Sequence, residues 1–366
     1  MTAAVAELQQ ELHDWCRRLG RRAQFMEVCG THTVSIFRSG LRSLLPDNLR
    51  LVSGPGCPVC VTAQRHIDAA IALADRPGVI IATYGDMVRV PGDHGSLELR
   101  RAAGADVRVV NSTRTALQLA RDNPDRTVVF LAVGFETTAP ATAVAILEAD
   151  RANLANFSVL MCHKLVVPAM MALLSAGDVP LDGFLCPGHV SVIIGANAYQ
   201  PIVNQHRKSC VVAGFEPEQV LRGLTGLVRQ LVEGCCELEN VYAAVVSPHG
   251  NHTALALLER VFEPIDTPWR ALGTIPNSGL GLAPAYRRFD AVERFGLTIG
   301  PDRDHPACRC GEVIQGKATP AECTLFGTAC TPLDPVGPCM VSSEGTCSAW
   351  FKYGGATRAV PRETAP

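Results

Sequence analysis

A repeated strand-then-helix pattern constrains the fold of this chain more than any other feature of its sequence. From Phe25 to about Glu233, short β-rich runs alternate with Gly-rich or polar turns and with helical patterns, as stacked βα units require. The predicted strands end near Val28, Ser53, Thr83, Val110, Val133, Met161, Cys186 and Ala213. This spacing of roughly 25 residues is that of a βα unit with its loops. It fits either two sheets of four strands or one eight-stranded barrel.

The chain divides into four predicted segments. The polar, proline-containing stretch ARDNPDRT, residues 120–127, is the best internal boundary, and it favours two similar Rossmann-like α/β domains over a barrel. We expect α/β domain I at residues 25–122, with the CGTH and CPVC loops, and α/β domain II at residues 123–233. Residues 1–24 predict an amphipathic helix packed on the third domain. Residues 234–366 predict that third domain, which is loop-rich and ends in a frayed C-terminus.

Charge and hydropathy exclude several classes of partner. The 33 basic and 35 acidic residues nearly cancel, so the chain lacks the electrostatic field of a nucleic-acid binder or a polybasic membrane protein. No stretch approaches 18 uninterrupted apolar residues, and the first residues do not resemble a signal peptide, so we expect a soluble cytoplasmic protein. In such a protein, 15 cysteines are better explained by metal binding or redox chemistry than by a disulfide framework.

Six of these cysteines lie between residues 308 and 347. Structural zinc sites usually take their ligands as close pairs, whereas these cysteines include the dispersed series Cys310, Cys323, Cys330 and Cys347. Dispersed thiolates suit an iron-sulfur cubane, and the sequence therefore favours a cluster. Zinc and inert or disulfide-paired thiols remain open alternatives. The cluster interpretation leaves Cys308 and Cys339 without a ligand role.

A second cysteine motif follows the second predicted strand. Cys57-Pro-Val-Cys60 precedes a helical pattern, so Cys60 is expected near a helix N-terminus, where the helix dipole favours a thiolate. Two cysteines at this spacing can close reversibly to a disulfide and exchange two electrons. The alternative is a turn with two buried structural thiols.

Other candidate site residues lie at further strand ends. Cys29 follows the first strand without a partner cysteine, and His32 is three residues later, where it could stabilise a thiolate or act as a ligand. His189 in CPGHVS and Glu136 in GFETTAP are candidates for the same cleft, because ligands collect at the carboxyl ends of parallel strands. Glu136 could position a ligand or simply complement a helix start. No phosphate-binding glycine motif is present, so a nucleotide-dependent reaction has no support.

The motifs MEVCGTHT, SGPGCPVCVT, GFETTAPATA, CPGHVSVIIG and the ending C-x₁₂-C-x₆-C-x₁₆-C resemble the HypD family of nickel-iron hydrogenase maturation factors over nearly the whole chain. The resemblance implies two similar α/β domains and a cluster-bearing third domain. It also implies a scaffold on which the Fe(CN)2CO iron is assembled, together with a HypC-type small chaperone and a HypE-type cyanide donor.

The resemblance assigns a role to each cysteine motif. Cys29 matches the cysteine that holds the transient iron together with a cysteine of the HypC-type chaperone, and Cys57 with Cys60 matches the redox pair. The ligands of a 4Fe-4S cluster are matched by Cys310, Cys323, Cys330 and Cys347.

Two functions of different classes fit these residues. The first is the assembly scaffold, which has redox activity but no turnover reaction of its own. The second is a cluster-dependent thiol-disulfide oxidoreductase resembling ferredoxin:thioredoxin reductase, in which Cys57 and Cys60 reduce the substrate. The two differ over Cys29, which a dithiol reductase does not need. A zinc-stapled α/β binding protein is a third possibility, and it predicts a colourless protein.

Overall fold

The computed structural model describes residues 3–354, which form two parallel sheets with packed helices, a hairpin and a loop-rich end. The strands are β1 Ala23–Glu27, β2 Leu49–Ser53, β3 Val79–Thr83, β4 Val107–Val109, β5 Thr127–Gly134, β6 Phe157–His163, β7 Gly183–Pro187, β8 Ser209–Ala213, β9 Leu238–Asn240, β10 Phe262–Trp269 and β11 Gly273–Leu282. The last dozen residues, predicted to be frayed, lie outside the described part of the chain.

The α-helices pack on the sheets or lie in the loop-rich end. They are α1 Ala3–Leu19, α2 Gly30–Arg38, α3 Pro58–Val61, α4 Gln64–Ala74, α5 Leu97–Ala102, α6 Thr113–Asp122, α7 Ala139–Arg151, α8 Val166–Ala176, α9 Gly188–Ile194, α10 Gln200–His206, α11 Pro217–Glu233, α12 His252–Val261, α13 Ala291–Phe295, α14 Cys310–Ile314, α15 Pro338–Val341 and α16 Thr346–Tyr353. Short 3₁₀ helices cover Leu41–Leu44, Gly85–Arg89, Ala196–Tyr199, Pro284–Phe289 and Pro320–Glu322. None of the helices within residues 3–354 is both long and apolar enough to cross a membrane.

The strands form two separate parallel sheets, so the barrel alternative is wrong. Sheet I has the order β2-β1-β7-β8-β9, and sheet II has the order β4-β3-β5-β6. All eight predicted strands are present, and β9 is an additional edge strand. Parallel neighbours require helical crossovers, which the intervening helices provide. The mixed α/β class with parallel βα units is therefore confirmed.

The sheets do not divide the chain at the predicted boundary between residues 122 and 123. Sheet I takes β1 and β2 from the first predicted domain and β7 and β8 from the second, while sheet II is built from the continuous segment between them. Residues 120–127 instead lead from α6 into β5, whose Thr127 pairs with Val79 of β3 inside sheet II. A polar turn is needed before any strand of a βα unit, so its composition did not mark a domain boundary.

The ends of the chain also pack differently from the prediction. Helix α1 buries Leu8 and Leu12 in a core shared with Leu224 and Val228 of α11, so its apolar face covers sheet I and not the third domain. The segment after residue 234 is not one separate domain either. Strand β9 extends sheet I, and α12 packs on α7 beside sheet II. Regular strands end at β11, and the cysteine-rich end follows.

One hydrophobic core joins both sheets to the cysteine-rich end. It contains Met26 of β1, Leu131 of β5, Val59 of α3, and Ile314 and Met340 from α14 and α15. Because burying this much apolar surface is the main source of folding free energy, the loop-rich end is held by packing on the α/β part as well as by its own contacts. The motifs at the strand ends therefore lie against the cysteine-rich end.

Candidate metal and redox site

The carboxyl edge of sheet I brings the Cys29 loop and His189 together. Strand order reverses between β1 and β7, since β1 continues to β2 on one side and β7 to β8 on the other. Ligands of doubly wound sheets bind at such a reversal. Cys29 follows β1, His189 follows β7, and Phe215 follows β8, with its ring centroid 4.0 Å from that of His189. These residues therefore lie together at the carboxyl edge of sheet I, and their use as a ligand-binding cleft stays a prediction.

Cys29 is buried directly before α2, with only 8% of its surface exposed. Its sulfur accepts hydrogen bonds from the backbone N–H groups of His32 and Thr31, and its own N–H donates to Glu27 Oε2 at 3.2 Å. Burial, followed by the charge of Glu344, raises the pKa of the Cys29 thiol to about 12. The thiol is therefore protonated at neutral pH, and binding of a metal there must release a proton.

The two candidate histidines contact the same aromatic ring. The ring centroid of Phe215 lies 4.7 Å from that of His32, and His189 contacts Phe215 as well. His32 Nε2 lies 2.9 Å from the carbonyl oxygen of Gly214, which assigns the ring proton to Nε2. Burial lowers the pKa of His32 to about 4, and Nδ1 has no hydrogen-bond partner among residues 3–354. His32 is thus a neutral ring with an unused acceptor, held by Gly214 and not by the Cys29 sulfur.

Glu344 belongs to this site, although sequence reasoning did not select it. Its Oε1 accepts a 2.8 Å hydrogen bond from Thr31 Oγ1, beside Cys29. Asp86 Oδ2 holds the preceding residue by accepting from the backbone N–H of Ser343 at 2.9 Å and from its Oγ at 3.0 Å. A loop of the cysteine-rich end therefore lies against the Cys29 loop. In the sequence, only the position of Glu344 three residues before Cys347 could have suggested this contact.

The Cys29 loop also packs on the CPVC loop, backbone against backbone. The N–H of Gly30 donates to the carbonyl oxygen of Gly56 at 3.1 Å. A Cβ built on Gly56 would lie 2.3 Å from the nitrogen of Cys29, so only glycine allows this approach. The two predicted loops are therefore in direct contact, as a shared cleft requires.

Cys57 and Cys60 form a disulfide bond. The short helix α3 starts immediately after Cys57, and the N–H of Cys60 lies 3.2 Å from the Cys57 sulfur. Both residues are buried, in the core that also contains cysteines of α14 and α15. From the sequence, Cys60 is expected near the N-terminus of the helix that follows the motif; it lies in the separate short helix α3, four residues before α4 begins at Gln64. A disulfide is one of the two states that a redox pair needs, and reversible redox chemistry stays a prediction.

The six cysteines of the loop-rich end converge. Four of them are linked by hydrogen bonds between their thiols, Cys308 with Cys310, Cys310 with Cys339, and Cys339 with Cys347. Cys330 accepts a 3.4 Å hydrogen bond from the N–H of Val336 and lies near Cys308 and Cys323. Cys308 and Cys339, which the sequence interpretation left without a role, are therefore neighbours of the predicted ligands.

The chemistry of the donor set fits an iron-sulfur cluster. Within residues 3–354, no group of three or more His, Cys, Asp or Glu side chains is placed to hold a single metal ion. A cubane separates its four cysteine ligands more widely than one ion does, and it needs soft thiolates with backbone N–H donors near their sulfurs. The N–H of Val336 at Cys330 and the N–H of Cys347, 3.1 Å from Cys339 Sγ, are donors of that kind. The identity of the four cysteines that would bind the cluster stays a prediction.

Glu136 lies at the corresponding edge of sheet II. Its Oε1 accepts a 2.9 Å hydrogen bond from the N–H of Val166, at the start of α8, and Oε2 is buried without a partner among the described residues. Burial raises the pKa of this carboxyl group to about 7. The interaction with a helix start occurs at α8, and not at the helix that follows Glu136 in sequence. A role in positioning a ligand stays a prediction.

Comparison with known proteins identifies relatives along the whole described chain. A family model described as "HypD: Hydrogenase formation hypA family" matches residues 3–354. The chain is 50% identical over 347 residues to the hydrogenase maturation factor HypD of Azotobacter vinelandii, covering 93% of this chain and 92% of that protein. It is 46% identical over 345 residues to the protein of the same name from Cupriavidus necator, covering 92% and 91%. Identity to the Rhodobacter capsulatus protein of that name is 48% over 339 residues, covering 91% and 90%.

Proposed function

The chain belongs to the HypD family of hydrogenase maturation factors, and from this premise we propose that it is the scaffold on which the Fe(CN)2CO unit of nickel-iron hydrogenases is assembled. The iron is the cargo, and Cys29 is its ligand on this chain. A HypC-type small chaperone supplies a second cysteine ligand, and a HypE-type protein supplies the cyanide. The assembly takes place in the cytoplasm, without nucleic acid or membrane.

The observation that carries this proposal is the position of Cys29. It is a free cysteine at the strand-order reversal of sheet I. Its sulfur accepts hydrogen bonds from the backbone N–H groups of Thr31 and His32 at the start of α2. Those N–H groups and the helix dipole stabilise a thiolate once the proton has left. A soft thiolate is the donor that a low-spin iron with strong-field ligands prefers.

The neighbouring groups supply the remaining requirements. Reducing the Cys57–Cys60 disulfide takes up two electrons and two protons and yields two thiols, so the pair can deliver two electrons beside Cys29. Cys310, Cys330 and Cys347, which belong to the same core, would hold the 4Fe-4S cluster together with the partly exposed Cys323, and the cluster supplies one-electron chemistry when bound. Such a protein transfers its product to another protein and needs no turnover reaction of its own.

The iron content of the complex with the HypC-type chaperone tests the proposal. Cys29→Ala should remove the iron that is additional to the cluster, because the cargo then loses its ligand on this chain. Cys16→Ala is the matched control, since Cys16 is also free and buried but lies in α1. Equal iron contents for the two variants would sink the assignment.

One observation favours the second candidate function. The Cys57–Cys60 disulfide shares a core with the cysteine-rich end, as a cluster-dependent thiol-disulfide reductase would require. Such an enzyme predicts that Cys29→Ala is nearly silent and that Cys57→Ser abolishes turnover of a protein disulfide. The iron assay above separates the two functions at one residue.

A further inference from the structure

Arg270 is a buried arginine between the redox pair and the cysteine-rich end. Its side chain is only 5% exposed. The backbone N–H donates to the carbonyl oxygen of Val61 at 2.9 Å, and Nε donates to that of Thr62 at 3.0 Å. These two carbonyl groups lie at the end of α3, the helix that starts after Cys57. Arg270 is therefore attached to the helix that carries the redox pair.

The guanidinium group is not fully used by these contacts. Nη1 lies 3.5 Å from Gln64 Oε1 and forms an ion pair with Asp304. Nη2 is buried and has no hydrogen-bond partner among the described residues. Leaving a buried donor without a partner is energetically unfavourable, and more so when the group is charged. A buried polar group without a protein partner calls for an explanation, such as a bound water, an ion or a redox role.

The residue after Arg270 packs against the helix that begins with Cys310. Ala271 packs so closely on α14 that a Cβ on Gly311 would lie 2.2 Å from the Cβ of Ala271. Gln315 Nε2 donates to the carbonyl oxygen of Ala271 at 2.9 Å, which fixes the same contact. Residues adjacent to Arg270 and to Cys310 are therefore in direct contact.

Arg270 and two of the cysteines line the same cavity, of about 650 Å³. The positive charge of Arg270 acts on the thiols of Cys308 and Cys310 and opposes the rise in their pKa. The pKa of Cys308 is raised by its hydrogen bond with Cys310 and then by burial. The pKa of Cys310 is raised by its hydrogen bond with Cys339 and then by burial.

We propose that Arg270 is a positioning residue for the metal-sulfur centre of the cysteine-rich end, to which it contributes positive charge and its free Nη2–H donor. The inference rests on the proposed cluster and goes beyond it, because it names a residue that raises the centre's reduction potential. Positive charge and hydrogen bonds near cluster sulfurs stabilise the more electron-rich state. Asp304 offsets part of this charge, but its side chain is 35% exposed and its effect is therefore more strongly screened.

The same residue also couples the two predicted redox sites. Arg270 is bonded to the end of α3 and to Asp304, four residues before Cys308 in the chain. It therefore holds the helix of the Cys57–Cys60 pair at a fixed place beside the cysteines of the loop-rich end. The fixed spacing would favour electron exchange between the two sites, whereas the raised potential would favour electrons arriving at the centre.

The test is a redox titration of the purified full-length protein, followed by electron paramagnetic resonance of the reduced cluster. Arg270→Gln should shift the reduction equilibrium at least tenfold toward the oxidised state, which is about 59 mV for a one-electron couple. Arg270→Lys keeps the charge and should keep most of the wild-type potential. Arg303→Gln is the matched control, because Arg303 lines the same cavity but is 66% exposed and is paired with Asp93 at 3.5 Å. It should shift the equilibrium by less than a third of the Arg270→Gln effect.

The outcomes separate this inference from the proposed function. An unchanged potential in Arg270→Gln would overturn the inference and leave the cluster assignment intact. A wild-type protein without iron and sulfide would overturn both. Loss of the cluster from both Arg270 variants, with retention in Arg303→Gln and unchanged circular dichroism, would also overturn the tuning role and make Arg270 a purely structural residue.

Discussion

Replacing Gly56 with alanine would place a Cβ atom inside the backbone of the Cys29 loop. That atom would lie 2.3 Å from the nitrogen and 2.5 Å from the Cα of Cys29, and 2.4 Å from the carbonyl carbon of Val28. Carbon atoms in favourable contact lie about 3.5–4.0 Å apart. Since the atoms approached are main-chain atoms, no side-chain rotation can relieve the overlap. The CPVC loop and the Cys29 loop must therefore separate.

The expected cost follows from two contributions. Overpacking of a well-packed region costs about 1–3 kcal/mol. Separating the loops by about 1 Å, the gap between these distances and an ordinary contact, also breaks the 3.1 Å bond from Gly30 to Gly56. A lost hydrogen bond adds about 0.5–1.5 kcal/mol. Gly56→Ala should therefore lower the free energy of unfolding by about 1.5–4.5 kcal/mol and expose Cys29.

Urea denaturation and the rate of Cys29 alkylation measure this effect. The matched control is Gly85→Ala, because a Cβ there would lie 3.8 Å from Val109 Cγ1, an ordinary contact. The control should unfold at the wild-type urea concentration or slightly above it. If Gly56→Ala unfolded with the control and left Cys29 equally protected, the close packing of the two loops would be refuted.

Three further predictions address the cluster, the redox pair and the buried histidine His66. Cys323→Ala should lose iron and acid-labile sulfide while Cys308→Ala keeps both, because the first removes a proposed ligand; the reverse result would move the ligand assignment. Cys60→Ser should leave circular dichroism unchanged but make the other thiol of the pair alkylatable without reductant and abolish hydrogenase maturation; full maturation would remove the redox role. Burial lowers the pKa of His66 from 6.5 to about 3, so the unfolded chain takes up this proton first, and wild-type stability should fall as pH falls through that window. His66→Leu should reduce that slope by about 1.4 kcal/mol per pH unit in acid denaturation series, and parallel slopes would contradict the assignment.

Local patterns sufficed to predict the individual strands, but not their assignment to sheets. Each βα unit has its own hydrophobic run and turn, so all eight strand positions were predictable. The pairing of Met26 with Val52 on one side and Phe184 on the other depends on contacts far apart in sequence. No local pattern encodes that choice, and the predicted boundary at residues 122 and 123 followed sequence order instead.

The candidate site was predictable where its chemistry depends on residue type. Cys29 and the Cys57–Cys60 pair stand at strand ends, as their motifs predicted. Glu344 and Arg270 were missed because an acidic or basic residue in a loop is ordinary on a protein surface. Only the burial of Arg270, and the partners of both residues in segments distant along the chain, distinguish them.

The infrared spectrum of the complex between this protein and its HypC-type chaperone tests the central claim most directly. The claim is that Cys29 is the ligand through which this chain holds the Fe(CN)2CO iron. Wild-type complex, isolated from cells that supply the cyanide, should show the stretching bands of bound cyanide and carbon monoxide. In Cys29→Ala those bands should be absent, while the visible absorption of the cluster remains. Bands of unchanged position and intensity in Cys29→Ala would contradict the account.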